Sequence, residues 1–179
     1  VTGPNRRNLF IATAVLMAIS FVGMSRVVVD SATKSFFSDD FDFKKDDKIL
    51  NERLGGTNTL NLIIEGKDLD AIKDPRVLQG IEATQRFAEA QSNVGKTISI
   101  ADFIKRMNQA MNGDDPKFYS IPDNQELVSQ YLLLYSMSGE PGDFDSYVDY
   151  DYKVANLTVF LKTDSSAYVQ ELIAKLKDF

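Results

Sequence analysis

The sequence predicts an α+β domain carried behind a single transmembrane helix. Leu9–Ser25 is an uncharged, largely apolar run of 17 residues. Thr59–Glu65 and a stretch within Asp151–Thr163 alternate apolar and polar residues with period two. Between and after these segments, apolar residues recur at helical spacing behind recognisable caps.

A transmembrane helix needs roughly 20 apolar residues. Val27–Val29 extend the run past a lone Arg26, whose long side chain can snorkel to the headgroups. Asp30 ends it. A cleaved signal peptide, with Gly23-Met24-Ser25 as its processing site, is the rival reading, and a buried soluble helix is a third. The retained helix is preferred. Arg6-Arg7 precede the run and all 26 acidic residues follow it, so the positive-inside rule places residues from about 30 onward outside the cytoplasm.

Residues 30–45 form a polar connector in which Phe36, Phe37, Phe41 and Phe43 line the membrane boundary or, preferably, dock on the domain. A short helix is expected over Asp46–Leu54. Asp46 or Asp47 would cap it, Ile49, Leu50 and Leu54 would form its apolar face, and Gly55-Gly56 would stop it. In the strand Thr59–Glu65, Leu60, Leu62 and Ile64 share one face. Asp74-Pro75 opens a helix running to about Gln91, and Val94–Ile100 is a second strand, completing a right-handed βαβ unit.

A helical insertion occupies about 100–138. Ser99 and Asp102 make a capping box, and Ile100, Phe103, Ile104, Met107 and Met111 lie on one face before Gly113. Asp114-Asp115-Pro116 is a loop, and Asp123 with Glu126 caps the next helix, Leu127–Met137. That helix is unusually apolar. Leu127, Val128, Tyr131, Leu132 and Tyr135 form a face, which Leu133 and Leu134 widen beyond one stripe. Such a helix is buried or touches a partner. Gly139–Gly142 breaks the chain. In the third strand Ala155, Leu157, Val159 and Leu161 share a face. Asp164 or Ser165 then caps a last helix with the stripe Val169, Leu172, Ile173 and Leu176.

The order β-α-β-(α-α)-β-α matches a ferredoxin-like split βαβ unit with its final strand missing, as expected of a fragment of a longer protein. The expected organisation is 1–29 lead and transmembrane helix, 30–56 connector and short helix, and 57–179 α+β domain.

Charge narrows the function. Residues 30–179 carry 17 Lys+Arg against 26 Asp+Glu, a net of −9, which disfavours nucleic acid and anionic bilayers as partners. Histidine and cysteine are both absent. That removes the commonest general base, the Ser-His-Asp triad, thiol chemistry and most transition-metal sites. The acidic clusters Asp39-Asp40-Phe41-Asp42 and Asp143, Asp145, Asp149, Asp151 lack calcium-loop spacing and read as solvated loops. Gly55-Gly56 lacks a phosphate-loop pattern, and Ser136, Ser138, Ser165 and Ser166 have no base in a recognisable motif. Phe144, Tyr147, Tyr150 and Tyr152 read as cross-strand packing. No catalytic, cofactor-binding or metal residue is assigned, and an enzyme is not expected.

The lead Arg-Arg, the apolar helix and the acidic connector are followed by DDKILNERLGGTNTLNLIIEG, DPRVLQGIEATQRFAEAQSNVGKTISIADFIKRMNQAMNG and QYLLLYSMSGEPGDFDSYVDYDYKVANLTVFLKTDSS. In this order, over nearly all of residues 6–179, the chain resembles one repeat unit of a resistance–nodulation–division (RND) superfamily exporter of the MMPL type. The resemblance implies a leading transmembrane helix and an extracytoplasmic porter domain of ferredoxin-like subdomains, in a proton-driven exporter of lipids or other hydrophobic molecules in the bacterial inner membrane. It implies as partners the bilayer, through Leu9–Val29, the remaining transmembrane and porter parts, a lipid-like substrate and further copies in an oligomer. The basic lead favours the second half of such a transporter. No relay residue carries over, since Leu9–Ser25 contains no acid. A membrane-anchored sensor or ligand-binding domain is the alternative.

Overall fold

A computed structural model describes the chain except residues 1–5, 25–29, 33, 35–37, 39–40 and 139–143. Expectations for Phe36, Phe37, Val27–Val29, Asp39, Asp40, Asp143 and Gly139–Gly142 fall outside the described residues. The chain divides into two compact units, Val1–Ser31 and Ala32–Phe179.

In the first unit, α1 spans Arg6–Met24. Within it Arg7–Met24 is long and apolar enough to cross a membrane. The Thr13 hydroxyl donates to the Leu9 carbonyl (3.0 Å), so the polar group is satisfied inside the helix.

The second unit is α+β. Its helices are α2 (Asp42–Leu54), α3 (Pro75–Glu89), α4 (Ile100–Met111), α5 (Gln125–Ser138) and α6 (Ser166–Asp178), and its strands are β1 (Asn58–Glu65), β2 (Val94–Ile98) and β3 (Val154–Leu161). The sheet order is β1-β3-β2, with both pairs antiparallel. β1 and β2 therefore run the same way, as a βαβ unit requires, but β3 lies between them.

The period-two alternation is obeyed. Leu60, Leu62 and Ile64 are the more buried residues of β1, and every second residue of β3 from Ala155 to Leu161 is buried. Both α3 and α6 cover this face, through Ala88 and Leu172 against Leu157, Val159 and Leu161. A second apolar cluster joins α3, α4 and α5 around Leu78, Ile81, Ile100, Ile104, Val128 and Leu132.

The caps follow the sequence closely. Asp74 accepts from the Arg76 N–H at the start of α3, Ser99 and Asp102 form the capping box of α4, and Ser165 accepts from the Tyr168 N–H before α6. Gly55 is left-handed (φ 78°) and stops α2.

Several expectations need correction. α2 starts at Asp42, a turn before Asp46, and Phe41 precedes it with no side-chain cap. Its apolar residues Ile49, Leu50 and Leu54 do not form a core face: none of its residues is buried. Phe41 and Phe43 each keep about half their surface exposed instead of docking fully. β2 ends at Ile98, since Ser99 is already the cap of α4. Pro116, expected as the end of the loop Asp114-Asp115-Pro116, opens a 3-10 turn, Pro116–Phe118. Asn124, not Asp123, caps α5: its side-chain oxygen accepts from the Leu127 N–H at 3.0 Å.

Candidate functional site

An open concavity lies between α4 and α5, with Phe118 of the Pro116–Phe118 turn in its lining. Its volume is about 670 Å³, within the range of small-molecule sites. Met111 and Phe118 face Leu127, Leu133, Leu134 and Met137 across it. Met111, Leu133 and Met137 are 57%, 61% and 77% exposed, so a surface that would normally be polar is apolar here. The two methionines give it adaptable walls.

Its polar lining comes from both helices: Asn108 and Asn112 at the end of α4, Gln130 and Tyr131 on α5. Asn108 is buried, and its amide donates to the Ser120 carbonyl (2.9 Å) while its oxygen accepts from the Tyr131 hydroxyl (3.1 Å). Asn112 donates to the Asn108 carbonyl at 2.7 Å. The two bonds of the Asn108 side chain tie α4 to α5 and to the approach of α5, whereas the Asn112 bond closes the end of α4. Among the described residues, no carboxylate, ammonium or guanidinium lines the groove. The arrangement can hold an apolar body; it offers no pair of groups for proton transfer.

α4 is fixed from behind by a polar relay. Gln85 on α3 donates to the Thr97 hydroxyl (3.1 Å) and to the Asp102 carboxylate (2.7 Å), and it accepts from the Ser99 hydroxyl (2.9 Å). The N–H and hydroxyl of Thr97 both donate to Glu89, at 2.9 and 2.7 Å. Lys105 lies between Asp102 (3.0 Å) and Glu82 (3.3 Å). Burial opposes the charge of Lys105, but the hydrogen bonds and charges of Asp102 and Glu82 outweigh it and raise its pKa above the ordinary lysine value. Phe103 adds aromatic contacts to Tyr135, Phe144 and Tyr147, with ring centroids 6.1, 5.5 and 4.9 Å away.

A second concavity of about 560 Å³ is lined by Lys34, Lys44, Lys45, Lys48 and Lys162, with Asp47 and Glu52 among them. It is largely a structural joint. Lys34 Nζ donates to Asp47 (2.6 Å) and to the Thr57 hydroxyl (2.8 Å), and its backbone N–H donates to Asp164 (2.8 Å). The connector is thus pinned to α2, to the start of β1 and to the loop after β3. Burial pushes the Asp47 carboxyl up, yet the bonds from Lys34, Thr57 and Asn51 hold it below the ordinary value.

Among the described residues, the acidic and aromatic clusters of the sequence do not assemble into a site. Asp149 accepts from the N–H groups of Lys153 and Val154, shaping the turn before β3. Among the described residues, no three Asp or Glu side chains converge as metal ligands. The expected cross-strand packing is not found: Phe144 and Tyr147 lie in a turn and pack on Phe103 of α4, Phe144 also on Tyr135 of α5, Tyr152 lies beneath Lys73 (4.1 Å to the ring) and Tyr150 is 97% exposed. Ser136 donates to the Leu133 carbonyl. The apolar breadth of α5 points to the groove from sequence alone. Asn108, Asn112 and Phe118 are not reached by that reasoning; a polar residue at position 108, one turn after Ile104, is the available signal.

Compared with protein-family models, with curated proteins and with solved structures, the chain matches none.

Proposed function

We propose that this chain is the leading helix and extracytoplasmic porter domain of a proton-driven RND-type exporter of the MMPL kind, in the bacterial inner membrane. In this reading the domain contributes to the path of a lipid-like or hydrophobic substrate and performs no covalent chemistry; energy coupling resides in other parts of the transporter. The observation that carries it is the uncharged groove between α4 and α5, with Leu133 and Met137 held open to solvent. Two further features support it. Arg7–Met24 has the length and composition of a membrane span. The order β1-β3-β2, with α3 and α6 on one face, is compatible with a ferredoxin-like split βαβ subdomain.

The same groove also suits a membrane-anchored ligand-binding or sensor domain. Both readings are tested by photolabelling the 179-residue chain in lipid nanodiscs that contain a diazirine-bearing fatty acid. The expected result is label on peptides from α4 and α5 in addition to α1, reduced several-fold by Leu133→Asp with Met137→Asp. Label confined to α1 would overturn the groove as a binding surface. Export activity lost with these substitutions in the full transporter, and retained on substituting exposed residues elsewhere, separates exporter from sensor.

A further inference from the structure

The lysine-lined concavity beside α2 is more than a joint. Lys34 and Asp47 neutralise each other there at 2.6 Å. Asp47 also accepts from Asn51 and Thr57. The other charges of the lining are Lys44, Lys45, Lys48 and Lys162 against Glu52, an excess of three positive charges. Lys45 reaches Asp42 only at 3.8 Å, with both side chains largely exposed, so that pair is weak. Among the described residues, Lys48 and Lys162 have no carboxylate within ion-pair distance. Residues 30–179, with a net charge of −9, thus gather a basic hollow.

Three elements converge on it. Lys44, Lys45, Lys48, Asn51 and Glu52 are spaced i, i+1, i+4, i+7 and i+8 along α2 and share one side of the helix. Lys162 follows the last residue of β3, and its N–H donates to the Asn93 carbonyl (2.8 Å) just before β2. Lys34 comes from the connector. Gly55 lies against Gly95 of β2, and Gly56 against Phe160 and Leu161 of β3. The hollow is therefore fixed to the sheet through β2 and β3.

α2 is turned the wrong way for a core helix. Its polar residues Asp47 and Asn51 bond to Thr57, whereas Phe43, Leu50 and Leu54, spaced i, i+7 and i+11 on another side, are about half exposed. Basic residues beside an exposed apolar stripe mark a helix that lies at a membrane surface. The sequence also keeps this region close to the span. Lys34 is ten residues beyond Met24, a length that reaches at most about 36 Å when fully extended.

We propose that the hollow binds the phosphate of an anionic phospholipid, with Lys45, Lys48 and Lys162 around the headgroup and the stripe of α2 against the acyl region. Lysine binds phosphate as a point charge and needs no fixed fork geometry. The acidity of the whole domain does not oppose this. At physiological ionic strength, charges more than about 8 Å apart are largely screened, so the hollow acts through its own excess. A free phosphate anion shares the headgroup chemistry but leaves the exposed stripe without a role. The proposal requires α1 to be retained in the bilayer. It holds for an exporter or a sensor alike and is independent of the groove between α4 and α5.

The test is lysine footprinting of the whole 179-residue chain in lipid nanodiscs, with a water-soluble N-hydroxysuccinimide ester and peptide mass spectrometry. In phosphatidylcholine discs Lys45, Lys48 and Lys162 should react freely. In discs of phosphatidylcholine mixed with phosphatidylglycerol they should react several-fold more slowly, while Lys67 and Lys177, exposed elsewhere, keep their rates. Lys48→Glu with Lys162→Glu changes two exposed positions, and circular dichroism checks the fold. This variant should lose the protection of Lys45. The chain has no cysteine, so Leu50→Cys can carry a polarity-sensitive dye. Its emission should shift to the blue with phosphatidylglycerol, and the double glutamate variant should abolish the shift. Inorganic phosphate added to phosphatidylcholine discs at matched ionic strength should not reproduce either effect; equal protection there would assign the hollow to a free anion and overturn the lipid. Equal rates in both kinds of disc, protection that extends to Lys67 and Lys177, protection that survives the double glutamate variant, or a chain that does not enter the discs would each overturn the proposal.

Discussion

The Gln85 side-chain amide donates to the Asp102 carboxylate over 2.7 Å, joining the middle of α3 to the capping box of α4. Gln85 simultaneously accepts from Ser99, which is fully buried. Removing the amide leaves Ser99 and Thr97 to find new partners away from water. Gln85→Ala is expected to cost about 2–3 kcal/mol. Urea denaturation followed by circular dichroism measures it. A loss no larger than that of Gln79→Ala, a more exposed position on the same helix, would show that the relay contributes nothing.

Lys105 and Asp47 give opposite pH dependences. The folded pKa of Lys105 is raised, so its stabilisation is complete below the ordinary value of 10.5 and fades as pH climbs through the folded one. The folded pKa of Asp47 is lowered, so its stabilisation is present above 3.8 and is lost as pH falls through the folded one. Lys105→Met should therefore flatten the alkaline limb of a melting-temperature profile relative to the parent chain. Asp47→Asn should flatten the acid limb. Each variant leaves the other limb unchanged, and a change on the wrong limb would contradict the pairing described.

Local signals are legible in the sequence, and long-range ones are not. The alternation in β1 and β3, the Ser99–Asp102 box and the Gly55 stop depend on neighbours within a few residues, and all three are found. The start of α2 is easily misplaced because Asp47 resembles a cap. In the fold its carboxylate is held by Lys34 and Thr57, which lie on either side of the helix in the chain. The position of β3 between β1 and β2 has no counterpart in periodicity, which fixes the faces of a strand but not its neighbours. The groove is half legible for the same reason. The breadth of α5 is local, whereas Met111, Phe118 and Asn108 reach it from other elements.

Gly56 is a position where backbone and packing act together. Its φ is 136°, outside the range that side chains favour, and an added Cβ would lie 2.7–2.8 Å from the backbone of Phe160 and Leu161. The neighbour is a strand that cannot move without breaking β1–β3 pairing. Gly56→Ala is expected to destabilise by at least about 2 kcal/mol. Gly80→Ala, where nothing lies within 4 Å, should be neutral or stabilising by up to about 1 kcal/mol in the helix. Thermal melts of the two variants side by side decide it.

The side of the membrane on which the domain lies can be read from one residue. Tyr150 is 97% exposed in the turn before β3, and the chain has no cysteine of its own. Tyr150→Cys therefore supplies a single accessible thiol at little cost to the fold. The proposed topology, with Arg6-Arg7 retained in the cytoplasm, predicts that a membrane-impermeant maleimide labels this thiol in intact bacterial spheroplasts as fully as after lysis. Labelling only after lysis would place the domain in the cytoplasm and remove the basis for an extracytoplasmic porter. Labelling of a domain released from the membrane into the medium would instead identify α1 as a cleaved signal, since a retained span holds the domain at the bilayer.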